Sequence, residues 1–157
     1  MDAYVDALLT SLKKKKNVLE MLDRVVVKQG QVLKLSKVEI EDLDELQRQK
    51  GELIAEIEQL EEGFEKVYTR AGEELSKERQ KYRTQIEQMQ GYIKEITDLT
   101  VKIQAQEERN RQNMELFFAN KKKEIRQYNF GSRQMAQYHK HSADPVMGRS
   151  YFMNRKK

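Results

Sequence analysis

The sequence predicts an all-α protein, an elongated antiparallel bundle of three long coiled-coil-like helices with an overhanging third helix and a mobile basic C-terminal tail. Apolar residues recur at alternating steps of three and four along most of the chain, a spacing that puts one narrow seam on a helix. Charged residues make up 36% of the 157 and aromatic residues 8%, with one proline and no tryptophan, the composition of extended helices rather than of a globule. The formal charge of +4 is unevenly placed: residues 131–157 hold six cations against Asp144 alone, +5 in all, which leaves −1 on residues 1–130. A seam this narrow buries itself only against other helices, so the chain lacks the broad interior in which most active sites are built.

Helix one is predicted over 2–34. Its seam is Leu8, Leu12, Lys15, Leu19, Leu22, Val26, Gln29 and Leu33; Val5, Leu9, Val18, Val25 and Val32 widen it, as in a helix that touches two neighbours. Gly30 weakens the last turn. Ser36-Lys37-Val38-Glu39 reads as a capping box, with Ser36 accepting from the Glu39 N–H and Glu39 reaching back to Ser36. Glu41, Asp42, Asp44 and Glu45 follow, where negative charge favours a helix start.

Helix two is predicted over 37–72, on the seam Leu43, Leu46, Lys50, Leu53, Ile57, Leu60, Phe64, Val67 and Ala71. The next boundary has no proline or strong turn dipeptide, and the heptad phase runs on through Ala71, Leu75, Glu78 and Tyr82. The chain either turns near Gly72 or continues as one rod of ~90 residues and ~135 Å. The turn is preferred because Gly63 and Gly72 sit where a bundle needs relief. Helix three is then predicted over 74–129, on Tyr82, Ile86, Met89, Ile93, Ile96, Thr100 and Ile103. It closes at Phe130-Gly131 after Lys121, Lys122, Lys123 and Arg126, cations that suit a helix C-terminus. The bundle domain spans 1–131. The remainder, 132–157, has Pro145, Gly148 and no period, and reads as a flexible basic tail.

The residue types exclude several classes of function. With no cysteine there is no disulfide, thiolate nucleophile or sulfur-ligated metal. The N-terminal charges follow a short apolar stretch, the reverse of a secretory signal, and nothing approaches the ~18 apolar residues of a membrane span; a cytoplasmic protein is expected. His139-Lys140-His141 reads as polar tail rather than as a metal pair. Lys13–Lys16 and Lys121–Lys123 read as solvated helix faces. Glu61/Glu62 and Glu107/Glu108 lack the burial that tunes catalytic acids. With no phosphate loop and no nucleophile–base pair, no enzyme, cofactor or metal is expected. Tyr151-Phe152-Met153-Asn154-Arg155-Lys156-Lys157 has the make-up of a short docking peptide, against the plainer reading of a disordered terminus.

The predicted lengths do not match. Helices one and two come to roughly 50–54 Å and helix three to roughly 84 Å, so helix three overhangs by about 30 Å from near Gln106. There the seam lapses into Glu107-Glu108-Arg109-Asn110-Arg111-Gln112-Asn113 and resumes as Met114, Leu116, Phe117, Phe118, Ile125, Tyr128 and Phe130. Each such side chain gains ~1.5–3 kcal/mol from burial. The patch therefore folds back on the bundle, pairs with a second copy in a homodimer, or receives another protein's amphipathic helix.

A long first helix is followed by the step Leu35-Ser36-Lys37-Val38-Glu39-Ile40-Glu41-Asp42-Leu43, by Lys50-Gly51-Glu52-Leu53-Ile54-Ala55-Glu56-Ile57-Glu58-Gln59-Leu60-Glu61, and by a long third helix with Asn110-Arg111-Gln112-Asn113-Met114-Glu115-Leu116. It ends in a Tyr128 to Gly131 segment. In this order of features, over about residues 3 to 135, the chain resembles the FlgN-like bacterial flagellar export chaperones. The tail is longer and more basic than the family's usual one. The resemblance implies a cytoplasmic chaperone that holds hook–filament junction (hook-associated) subunits and delivers them to the flagellar type III export machinery. It also implies that the C-terminal helical region takes up the client's amphipathic C-terminal helix. By position that region is Met114–Phe130, with Met114, Phe117, Phe118, Ile125, Tyr128 and Phe130 as contacts. No cofactor is called for, since mass action alone holds a client.

Two other functions compete. A structural coiled-coil component of the export apparatus would have no subunit client and an extended shape. A nucleic-acid or membrane-surface binder would depend on salt and on residues 132–157.

Overall fold

A computed structural model describes residues 2–122, and three helices account for most of them: α1 (Asp2–Leu33), α2 (Ile40–Lys77) and α3 (Arg83–Asn120). The predicted tail and residues 123–131 lie outside the described residues. Cross-helix pairs give the topology. Arg70 donates to the Tyr4 hydroxyl, Lys15 pairs with Glu61, and Lys50 donates to Gln29, so α2 runs antiparallel to α1. Lys16 pairs with Glu95, and Lys102 with Asp23, so α3 runs parallel to α1. The chain is an up-down-up bundle with α1 packed along both partners.

The seam residues form the core. Val5, Leu8, Leu12, Leu19, Leu22 and Val26 of α1 meet Leu53, Ile57, Phe64 and Leu75 of α2. On α3 the buried ridge recurs every seventh residue, Tyr82, Met89, Ile96 and Ile103, while Ile86, Ile93 and Thr100 are half-buried. On α2 the buried stripe drifts: Ile54 and Glu61 are inside, whereas Leu60 and Val67 are half-buried. A straight helix has 3.6 residues per turn, so an apolar repeat of 3.5 slips by about 20° per heptad and hands burial to the next position.

Two boundaries differ from expectation. The chain turns at 78–82, not at Gly72. Residues 76–81 are all exposed, so the chain has nothing to bury between Leu75 and Tyr82. The turn falls in that gap, closed by Glu78 N–H to Glu74 O (2.8 Å) and Tyr82 N–H to Glu78 O (3.2 Å). Gly63 supplies no relief, since a Cβ there would meet nothing within 4 Å. The capping box does not form: α2 starts at Ile40, its N-cap is Glu39 with no side-chain cap bond, and Ser36 sits in an exposed bend. The carbonyl of Glu39 itself accepts from Asp42 and Leu43, which closes the first turn three residues later than Ser36 would.

Candidate functional site

The main core stops at the level of Val26, Leu53 and Ile103. The next layer is polar and buried. Lys50 Nζ donates to Gln29 Oε1 (3.1 Å) and to Glu107 Oε1 (2.8 Å), which links all three helices. Beside it Asn110 Nδ2 donates to the Val26 carbonyl (2.7 Å), and Gln106 Nε2 donates to Asn110 Oδ1 (2.9 Å). Gly30 makes room for this group: a Cβ there would lie 2.6 Å from Gln106 Nε2 and 2.9 Å from Asn110 Oδ1. Gln29, Lys50 and Asn110 are buried. Desolvation pushes the Lys50 ammonium well below the ordinary lysine range, and the Glu107 carboxylate is the charge that faces it.

The expected lapse of the α3 seam at 107–113 is therefore not a lapse. Ile103, Glu107, Asn110, Met114 and Phe117 keep steps of four and three, and only their chemistry changes, at the level where α1 supplies Gln29 and α2 supplies Lys50. Beyond this layer Leu43, Leu46 and Met114 are buried again, outside the main apolar cluster. The bundle thus has a long apolar core, a polar layer and a small apolar tip.

The tip carries Leu35 and Leu116, two of the exposed large apolar side chains among the described residues, while Met21 and Val101 lie along the sides of the bundle. The Lys102–Asp23 pair joins residues 79 apart, a register that sets Leu33, the last residue of α1, level with Gln112. The described part of α3 thus projects beyond α1 by about 12 Å, over residues 112–120. The 78–82 turn starts α3 later than expected and shortens the overhang, and the rest of the expected ~30 Å falls on residues outside the described ones. On this projection Leu116 is 61% exposed. Phe117 and Phe118 are half-buried and pack edge to face, ring centroids 5.2 Å apart. Leu35, in the α1–α2 connection at the same end, is 57% exposed.

Of the sequence-predicted contacts, Phe117 and Phe118 lie on this surface. Met114 is 1% exposed and belongs to the tip's interior. Ile125, Tyr128 and Phe130 lie outside the described residues, as do His139 and His141. Leu35 escaped the sequence reading, which treated 35–43 only as a connection; an apolar residue just before a polar step is the signal for it. Among the described residues no helix is long and apolar enough to cross a membrane.

The chain belongs to the FlgN family, whose model, described as FlgN protein, matches residues 1–129. That family is one of flagellar export chaperones, a chaperone rather than an enzyme family, whose members bind flagellar proteins. Searches of curated proteins and of solved structures return no match.

Proposed function

We propose that this protein is a cytoplasmic chaperone for hook–filament junction subunits, holding them through their amphipathic C-terminal helix until the export machinery takes them. The reading rests on the tip, where α3 outruns α1 with Leu116 exposed and Phe117 and Phe118 half-exposed. A client helix laid along α3 would extend the bundle past the end of α1 and cover the Phe117–Phe118 ring pair, with Leu116 and Leu35 at the borders of the contact. Ile125, Tyr128 and Phe130 continue the apolar sequence and are proposed to prolong the contact. Met114 supports the surface from beneath. Covering the client's apolar helix keeps it from self-assembly, and release needs only competition at the export gate.

The test is complex formation between the full chain and a junction subunit. Phe117→Asp/Phe118→Asp should abolish a one-to-one complex while the helical circular-dichroism signal stays unchanged. Normal complex formation by this variant would sink the site.

A further inference from the structure

The polar layer divides α2 as it divides the core. From Lys50 onward α2 is fastened to its neighbours, through Lys50 to Gln29 and Glu107 and through Glu61 to Lys15. The segment before it, Ile40–Gln49, is held far less. Its side-chain hydrogen bonds and ion pairs, and those of the connection from residue 34, stay local, as in Arg48 with Glu45 and Glu52; among the described residues none reaches α1 or α3. Gln47 Oε1 is buried without a hydrogen-bond partner, which penalises the closed position, since water would satisfy it in an open one. Leu43 and Leu46 are buried, yet neither joins the main core. On the α1 side Leu46 borders a concavity of about 390 Å³, lined also by Met21, Val25 and Leu53. The segment starts without a side-chain helix cap, after a connection whose residues 34–37 are all exposed.

The register sets this segment over Met114. α2 and α3 are antiparallel, and Lys50 meets Glu107. One turn nearer the tip, on the same faces, stand Gln47 and Arg111. One heptad nearer stand Leu43 and Met114. A groove that takes an amphipathic helix needs apolar anchors on successive turns. Met114, with Phe117 and Phe118 three and four residues on, supplies them, but Met114 is buried in the closed fold. We propose that Ile40–Gln49 is a flap hinged at Lys50, and that the client's amphipathic helix enters beneath it, seated on Met114 and Phe118 and closed over by Leu43. This rests on the client reading above and adds to it a seat that the closed bundle hides.

The chain has no cysteine, so Gln47→Cys/Arg111→Cys gives a single thiol pair that a short bismaleimide can bridge. Bridging the full chain should weaken its binding of the C-terminal helical peptide of a junction subunit by about tenfold or more, because the binding-competent open form is removed. The reference is the same variant with both thiols capped by N-ethylmaleimide, and equal binding by the two overturns the proposal. Hydrogen exchange of the free wild-type chain tests the flap without a client. Amides 44–49 should share one protection factor, lower than that of amides 54–64 by about tenfold or more, because a single opening releases them together. A protection that climbs steadily from 44 to 49 is the fraying of any helix end and overturns the flap. A wild-type chain that binds no peptide while 44–49 still exchange together overturns the client reading, and the entrance with it.

Discussion

Lys50 on α2 donates a 2.8 Å hydrogen bond to Glu107 on α3 from a fully buried side chain. Two ions out of water gain from each other roughly what they lose in hydration. What the pair supplies is alignment: only one register of the three helices brings Gln29 Oε1 and Glu107 Oε1 together on the Lys50 ammonium, while Gln29 Nε2 stays buried without a hydrogen-bond partner. Glu107→Leu leaves the Lys50 charge without a carboxylate and should destabilise the fold by about 3–5 kcal/mol. Lys50→Met/Glu107→Leu/Gln29→Leu should be neutral or stabilising by about 1–4 kcal/mol. Urea unfolding of the three proteins checks this, and a triple variant as damaged as the single one would show that the layer holds the fold together energetically.

A second buried pair makes stability depend on pH. Burial lowers Lys15 to about 8, against the opposing pull of Glu61, which lies 3.7 Å away. Below pH 8 the lysine is charged in both states, and the folded state bears the cost of burying it. Between about 8 and 10.5 the unfolded chain binds more protons, so stability rises with pH. The gain is on the order of 3 kcal/mol. Thermal unfolding at pH 7.5 and 10, compared with Lys15→Met/Glu61→Leu, isolates it. The wild-type chain should gain relative to that variant as the pH rises, and a loss would contradict the burial of Lys15.

Gly30 tests the approach of α1 to α3. A side chain there collides with Gln106 and with Asn110, which is held by Val26. Alanine gains up to ~1 kcal/mol of helix propensity, which offsets part of the collision. Gly30→Leu cannot be accommodated in this way and should cost about 1–3 kcal/mol, read as a lowered urea midpoint with an unchanged slope.

Much of the fold was legible because heptad spacing survives any detail of packing. The core of Leu8, Leu22, Ile57, Ile96 and Ile103 follows from it directly. The turn at 78–82 was harder to place. A glycine attracts attention as a breaker, yet Gly72 is accommodated inside α2, and the decisive signal was the six polar residues between Leu75 and Tyr82. The site was half legible. Phe117 and Phe118 stood out as aromatic, but Met114 is buried in the fold, and burial by other helices is not visible in the sequence of α3. The polar run at 107–113 looked like an end of the seam because its partners, Gln29 and Lys50, lie 78 and 57 residues from Glu107.

Tyr82 should anchor the turn. It is buried where α2 passes into α3, and Tyr82→Ala should cost about 3–5 kcal/mol. Fluorescence-detected urea unfolding measures it; a loss under 1 kcal/mol would show that the backbone bonds of 78–82 suffice to close the hairpin.

The central claim is that the tip, rather than the sides of the bundle, receives a client helix. Amide hydrogen exchange of the full chain, with and without the C-terminal helical peptide of a junction subunit, tests it most directly. Binding should slow exchange in residues 111–122 and in the 35–46 segment that flanks them, with the middle of α1 unchanged. Protection confined to α1 between Lys13 and Lys28, with 111–122 exchanging as in the free chain, would contradict it.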